Sequence, residues 1–526
     1  MRLALVTVMQ FVENLSDRQA ADAVRSRIDW KYALSLELTD AGFDFSILSE
    51  FRKRLGQSGA EPLLLDCTLE LLREKKLLKA RGRQRTDSTH VLAAVREMNR
   101  LELVAETLRA ALNELARVAP EWLQEVAPPE WYRRHGARAE QSRLPRGDKA
   151  RGEYAEQIGR DGAALVDLVR DHRSDLGDLP AMATLSQVWT RHFIHTITFG
   201  PRATKHGTKY PPEGDPATGN TLSQEETETE RVEGIISRPD AQLPRAATAI
   251  ESPYDVQARH SNKHDLSWLG YKVHLSETCD PGLPRLVTHV HTTVATTQDV
   301  SCTAAIHQAL QGKDLLPARH LVDTGYVDAQ LLVESYHQHG VELFGPPRLN
   351  PSWQAREGGY DASHFTFWWG SERARCPEGK TSVYWHPFVT QPYDRPVVKV
   401  RFAPQDCTPC PQRDKCVRSQ SGRPRSLTVP DQPYFGALQD ARRRITSQEG
   451  QAEYRGRAGI EGAISQAVRR CGLRRSRYLG LDKTHLQHVA TAAALNVVRA
   501  VEHLRGQPLA QTRTSRFARL KPHFVT

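Results

Sequence analysis

The chain of 526 residues reads as an α/β protein with a helical N-terminal segment, a helical insertion and a β-rich, cysteine-containing insertion. Three observations point there. Short runs of β-formers alternate with helical stretches between about residues 81 and 345, and strands joined through crossover helices argue a sheet that is parallel in part. The first eighty residues repeat apolar positions at three and four spacing with no strand signal. Across residues 346–435 the helical rhythm gives way to alternating residues, prolines, tryptophans and four cysteines. A chain this long exceeds one core and predicts several structural units.

Taken in order, Leu15-Ser16-Asp17-Arg18 offers capping residues for a helix through Ala20 to Ile28. Phe45, Leu48, Phe51 and Leu55 line one side of a second helix, which leaves Arg52, Lys53 and Arg54 exposed. Residues 81–199 comprise a strand from Arg83 to Leu92 carrying Asp87, then a helical insertion with a periodic helix over Leu101–Val118 and helical material on to about Thr198. Gly, Pro, Thr and clustered Glu predict a flexible linker over 200–245. Residues 246–345 form the α/β core. It holds strands at Gly270–Leu275 and Arg285–Val294, Asp299 as the N-cap of a helix through Leu310, a strand His320–Val322 running into Asp323, and a helix over Ala329–His339. After the β-rich insertion at 346–435, helices resume over 436–505, and 506–526 is a basic tail.

The net charge is +10, and residues 440–526 alone carry seventeen Lys/Arg against six Asp/Glu. Such a stripe suits a polyanion such as DNA, because neutralising phosphates releases condensed counterions; a solvated basic face is the competing reading. Arg469, Arg470, Arg474, Arg475 and Arg477 are the candidate phosphate contacts, the last three in a Gly-flanked turn with no carboxylate close in sequence. The helices of residues 1–80 fit a DNA-binding domain, and an ordinary packing bundle fits them equally. No apolar run approaches bilayer length, and Glu13, Asp17 and Arg18 stand where a signal peptide would be cleaved. A soluble intracellular protein with no membrane partner is expected.

Eight cysteines are too few for a disulfide scaffold in a chain of this length. Cys407 and Cys410 form a C-x₂-C knuckle, and with Cys416 and Cys376 they offer four thiolates for a structural Zn²⁺. Free thiols stay open as the alternative, since the second half of a C-x₂-C pair is missing. Cys67, Cys279, Cys302 and Cys471 read as packing residues.

Asp87 and Asp323 each sit in or at the end of a strand, where an open α/β sheet gathers side chains into one crevice. Glu461 lies in a helix with Tyr454 and Arg457 seven and four residues before it, which on a regular helix puts all three on one face, with Arg457 bracketing Glu461. A surface ion pair is the plainer reading of that spacing. Carboxylates on rigid elements are what hard cations such as Mg²⁺ require, and phosphodiester transfer uses two such ions.

The blocks Leu15-Ser16-Asp17-Arg18-Gln19-Ala20-Ala21-Asp22-Ala23-Val24, Ile28-Asp29-Trp30-Lys31-Tyr32 and Phe45-Ser46-Ile47-Leu48-Ser49-Glu50-Phe51-Arg52 resemble the N-terminal domain of bacterial insertion-sequence DDE transposases. Thr86-Asp87-Ser88-Thr89-His90-Val91, His320-Leu321-Val322-Asp323-Thr324-Gly325-Tyr326 and Tyr454-Arg455-Gly456-Arg457-Ala458-Gly459-Ile460-Glu461 resemble the first Asp, second Asp and Glu motifs of that family, in the same order along nearly the whole chain. The resemblance implies a ribonuclease-H-like catalytic core and Mg²⁺ (or Mn²⁺) held by Asp87, Asp323 and Glu461, with Tyr454 and Arg457 beside them. It implies action on double-stranded DNA, at terminal inverted repeats and a target, by a homodimer or larger assembly in the bacterial cytoplasm at the nucleoid. Val468 departs from the pattern, which has a Lys seven residues after the Glu, and the chain starts directly on a helix-like run. A catalytically decayed DNA-binding regulator and a nuclease that cuts without joining are the competing functions.

Overall fold

The computed structural model describes residues 2–140, 144–201, 229–244, 248–263, 265–391, 394–419, 421–508 and 516–517. By its internal contacts the chain divides into two units, Met1–Leu92 with Tyr271–Thr526, and Ala93–Gly270.

The first unit opens with five helices: α1 (Arg2–Glu13), α2 (Asp17–Ser26), α3 (Ile28–Leu34), α4 (Ser46–Gln57) and α5 (Leu63–Glu74). Ser16 and Gln19 close a reciprocal capping box that starts α2, satisfying two backbone donors a helix start leaves orphaned. Val6, Ala20, Val24, Trp30, Leu34 and Leu48 form the apolar centre of this bundle. Then come β1 (Arg83–Leu92), β2 (Leu266–Thr278, in this unit from Tyr271), β3 (Val287–Val294), helix α6 (Thr303–Gly312), β4 (Arg319–Leu321), α7 (Ala329–His339) and β5 (Glu342–Phe344). In space the strands run β3, β2, β1, β4, β5. β3 and β2 are antiparallel; β1, β4 and β5 are mutually parallel. The expected mixed α/β sheet is present.

Polar side chains buried within this sheet lock its register. Thr86 sits between the Ser276 hydroxyl on β2 and His320 Nε2 on β4, both at 2.6 Å, and His320 Nδ1 meets His307 Nε2 of α6 at 2.8 Å. A slip of β1 by one residue would break both Thr86 contacts and turn its side chains to the opposite face. Cys302, Ile306, Leu310, Val322, Tyr326 and Leu343 form an apolar cluster of strand and helix residues.

A second sheet follows, made of β6 (Tyr384–Thr390), β7 (Arg395–Arg401) and β8 (Ser426–Pro430), all antiparallel. Alternation turns Val398, Val400, Leu427 and Val429 inward against Phe365, Ala374 and Phe402. The β-rich insertion therefore has a small apolar core of its own. The chain closes with α8 (Gln432–Thr446), α9 (Gln448–Tyr454), α10 (Gly459–Cys471) and α11 (Leu481–Leu504). α11 packs on β3, α1 and α5, and its buried Asn496 grips β3 through both Val287 N (2.7 Å) and Val287 O (2.8 Å).

In the second unit, helices Arg100–Val118, Asp148–His172 and Pro180–His192 pack around Leu108, Leu115, Ile158, Leu165 and Trp189. Helical material does not continue to Thr198: Phe193–Pro201 is a strand paired antiparallel with Thr229–Ser237, as the alternating Phe-Ile-His-Thr-Ile-Thr-Phe run allows. Of the linker expected over 200–245, residues 202–228 lie outside the described residues, as does most of the basic tail.

Candidate active site

Pairing of β1 with β4 does the first work. Arg85 lies opposite Leu321, so two residues on, with the strand period of two, Asp87 within β1 and Asp323 just past the end of β4 follow on the same face. Asp87 is buried, at 8% exposure. The Ser88 N–H donates to Asp87 Oδ1 at 2.8 Å, and the Gly325 N–H donates to Asp323 Oδ1, also at 2.8 Å.

The Tyr-Arg-Glu segment is brought to this edge by buried charge. Arg85 donates to Glu277 of β2 from Nε at 2.7 Å and to the Gly456 carbonyl at 2.5 Å. Arg499 of α11 reaches the other Glu277 oxygen at 2.8 Å. At Gly459 a Cβ would come within 2.0 Å of Arg85 Nη1, so the start of α10 lies directly against that guanidinium. Arg319 of β4 holds Glu453 at 2.5 Å, which fixes the residue before Tyr454. Tyr454 packs on Phe344 at 6.5 Å between ring centres; burial raises its phenol pKa, and the charges of Asp323 and Asp87 add to the rise while Arg457 opposes it.

Arg457 does not bracket Glu461. Its Nη1 donates to Asp87 Oδ2 at 3.1 Å. The reason is local: Arg455–Ala458 is a 3₁₀ turn ahead of α10, whose tighter winding breaks the seven-and-four phase of a regular α-helix. Glu461 stands exposed in the first turn of α10, a position that suits a carboxylate beside the helix N-terminus. Asp87, Asp323, Tyr454 and Arg457 are thus gathered together, with Glu461 four residues beyond the Arg457 contact. Lys272 and Asp299, which sequence reasoning did not count here, lie at the same edge, paired at 3.3 Å. Asp299 is not an N-cap; that position belongs to Gln298, with no side-chain cap.

Carboxylate oxygens are the right donors for a hard divalent cation, and beside Asp323 the missing side chain of Gly325 leaves a space where a Cβ would sit 2.9 Å from Asp323 Oδ1. Among the described residues, no three His, Cys, Asp or Glu side chains are drawn together as a ready metal cage; this holds for the carboxylates and for the late cysteines alike. Cys376, Cys407, Cys410 and Cys416 nevertheless line one cavity of about 250 Å³ with Phe402, Arg413 and Arg425. The Lys380 N–H donates to Cys376 Sγ at 3.3 Å across a turn closed by Gly379. Burial raises the Cys416 thiol to about 11, and its three sister thiols push the same way.

The candidate DNA contacts divide. Arg474 donates to Thr89 Oγ1 at 2.8 Å, and Arg477 donates to the Leu15 carbonyl at 2.9 Å and lies over the Phe11 ring. Both thus have partners within the fold. Arg470 reaches the Val12 carbonyl at 3.1 Å yet remains exposed, as do Arg469 and Arg475. No helix among the described residues is long and apolar enough to cross a membrane.

Comparison with curated proteins gives no match. Residues 375–501 match the family described as Transposase DDE domain, a span that includes the four late cysteines, Tyr454, Arg457, Glu461 and the arginines after it, while Asp87 and Asp323 lie outside it. Residues 1–54 match the Transposase domain (DUF772). Two transposase family models thus match at opposite ends of the chain, consistent with a DDE transposase of the insertion-sequence kind.

Proposed function

We propose that the protein cuts and joins DNA at the terminal inverted repeats of an insertion sequence, with Asp87, Asp323 and Glu461 as its metal-binding carboxylates. The observation that supports this reading is the parallel register of β1 and β4, in which Arg85 pairs with Leu321 two residues before Asp87 and Asp323. Strand order and direction, three strands antiparallel in succession of which the first continues into a parallel pair, support a ribonuclease-H-like core. Mg²⁺ or Mn²⁺ bound there would activate the attacking oxygen and stabilise the leaving one. The chain's own part is positional. Arg457 orients Asp87 and offers its remaining N–H groups to a scissile phosphate, Tyr454 shields the edge from water, and Glu461, exposed in the first turn of α10, would complete the donor set. Arg469, Arg470 and Arg475 supply backbone contacts; the DNA ends, the target and a second copy of the chain are its partners, in the bacterial cytoplasm at the nucleoid.

We propose further that Cys376, Cys407, Cys410 and Cys416 close on a structural Zn²⁺, which would take the four thiols as thiolates and release their protons.

The test is a plasmid carrying two inverted repeats, incubated with protein and Mg²⁺ or with chelator. Metal-dependent joined products support the proposal. Nicked or linear DNA alone would identify a nuclease, and tight binding without cleavage a decayed regulator.

A further inference from the structure

The three-stranded sheet of the insertion has two faces, and its core uses one. Strand alternation sends Val398, Val400, Leu427 and Val429 inward against Phe365 and Phe402. On the opposite face β6 presents Tyr384, His386 and Phe388 in one row, with successive ring centres 5.9 and 6.1 Å apart. Tyr384 and His386 are exposed and Phe388 is half-buried. Register sets Arg401 opposite Tyr384 and Lys399 opposite His386, and β8 continues the face with Ser426 and Thr428. The Arg401 guanidinium lies over the Tyr384 ring, 5.1 Å from its centre.

The charge of this face has one sign, since none of β6, β7 and β8 contains Asp or Glu. Arg395, at the far end of β7, is paired with Asp328 at 3.1 Å, whereas Lys399 and Arg401 stand beside the aromatic row. β6 is also the free edge of the sheet, and Pro387 within it withholds an N–H from any added strand. The face, rather than the edge, is therefore the surface to bind on. Rings in a cationic row suit unstacked bases: each ring takes a base face whatever the sequence, and the cations follow the phosphates. A duplex keeps its base faces stacked inside and gains nothing from such rings.

We propose that this face binds single-stranded DNA, the bases stacking on Tyr384, His386 and Phe388 and the phosphates running along Lys399 and Arg401. The proposal rests on the reading of DNA as the substrate and names the form of it that this face takes.

The experiment is fluorescence anisotropy of the full chain with a labelled oligo-thymidylate of about twelve nucleotides, beside a duplex and an oligo-uridylate of the same length. Tyr384→Ala and His386→Ala should each lower the ratio of single-strand to duplex affinity about tenfold. Tyr384→Phe, which keeps the ring, should restore it. Lys399→Ala should lower the slope of log affinity against log salt for the single strand by about 0.7. Melts run alongside show whether each variant is folded; should Tyr384→Ala fail to fold, His386→Ala and Lys399→Ala decide. Single-strand binding retained by every folded variant overturns the inference and leaves the parent reading standing, as does a wild type that binds duplex and no single strand. If wild type binds neither form of DNA, the parent reading falls and takes the inference with it. A preference for oligo-uridylate that Tyr384→Ala abolishes would make this an RNA surface and overturn the inference as well.

Discussion

The carboxylate edge and the cysteine cavity both gather residues from distant parts of the chain, but they are held in different ways. At the edge, Asp87 and Asp323 are placed by strand register, and the register is fixed by buried hydrogen bonds through Thr86, His320 and His307. In the insertion, Val398, Val400, Leu427 and Val429 build a modest core, and the four thiols face a cavity that nothing in the chain fills. One region is held by hydrogen bonds within the chain. The other surrounds an open cavity. Catalytic geometry benefits from the first arrangement, because donors already in place cost no reorganisation at the moment of reaction.

The largest effect that would break this contrast is loss of chemistry without loss of fold. Asp87→Asn or Asp323→Asn should lower metal-dependent cleavage about 10³-fold or more while melting temperature and DNA affinity hold. Gel assays beside thermal melts check both halves, and a variant that cleaves normally would remove Asp87 or Asp323 from the mechanism. Next comes the ion network behind the edge. Glu277, 1% exposed, balances Arg85 and Arg499, so Glu277→Gln leaves two buried guanidinium groups uncompensated and should cost about 3–5 kcal/mol in urea unfolding. A cost near zero would mean that water reaches the network.

Much of the edge was legible beforehand because its signals are local. β-formers around Asp87 marked its strand, and an apolar run ending in Asp323 and a Gly turn marked the end of β4. What escaped was non-local or depended on phase. Asp299 precedes a helix and so looks like a cap, and only Lys272, 27 residues away, and Ser88, 211 away, reveal its use. Arg457 and Glu461 have α-helical spacing, but the 3₁₀ turn between them changes the phase. Arg477 looked free because its partners, Leu15 and Asn14, are more than 460 residues distant in sequence. The strand at Phe193–Pro201 did alternate, and the helix before it masked the change of period. The insertion's core was not legible because its inward residues come from strands separated by the cysteines.

The cysteine cavity is sharpened by removing its metal. Cys407→Ser, or wild type treated with a strong chelator, should lose one equivalent of zinc and melt several degrees lower, with some cleavage retained because no thiol touches the carboxylates. Elemental analysis showing no zinc in the untreated protein would assign the cavity to free thiols. Acid should act instead on the preorganised side. Burial lowers His274 and His488 to about 3 and His307 to about 4, and it holds His320 well below its ordinary value. Each is neutral in the fold but takes a proton once unfolded near 6.5. Their contribution is therefore whole above pH 6.5 and is lost as pH falls toward 4 and 3, by about 1.4 kcal/mol per pH unit for each group. Urea midpoints that do not move between pH 7.5 and 5 would show these imidazoles to be hydrated.

The smallest expected effect concerns the basic surface beside α10. Arg474 and Arg477 have internal partners, Thr89 and the Leu15 carbonyl, so replacing them should disturb the fold before it disturbs binding. Arg469 and Arg475 are exposed, and their removal leaves no buried group unpaired. Each phosphate contact contributes about 0.9 to the slope of log affinity against log salt, so Arg469→Ala with Arg475→Ala should flatten that slope by up to about two and weaken binding evenly across sequences. Arg474→Ala should instead lower the melting temperature and leave the slope nearly intact, since its guanidinium already bonds β1. Binding titrations over a salt series, run beside melts, separate the two pairs. An unchanged slope for the exposed pair together with a flattened one for Arg474→Ala would reverse the assignment and make Arg474 the phosphate contact.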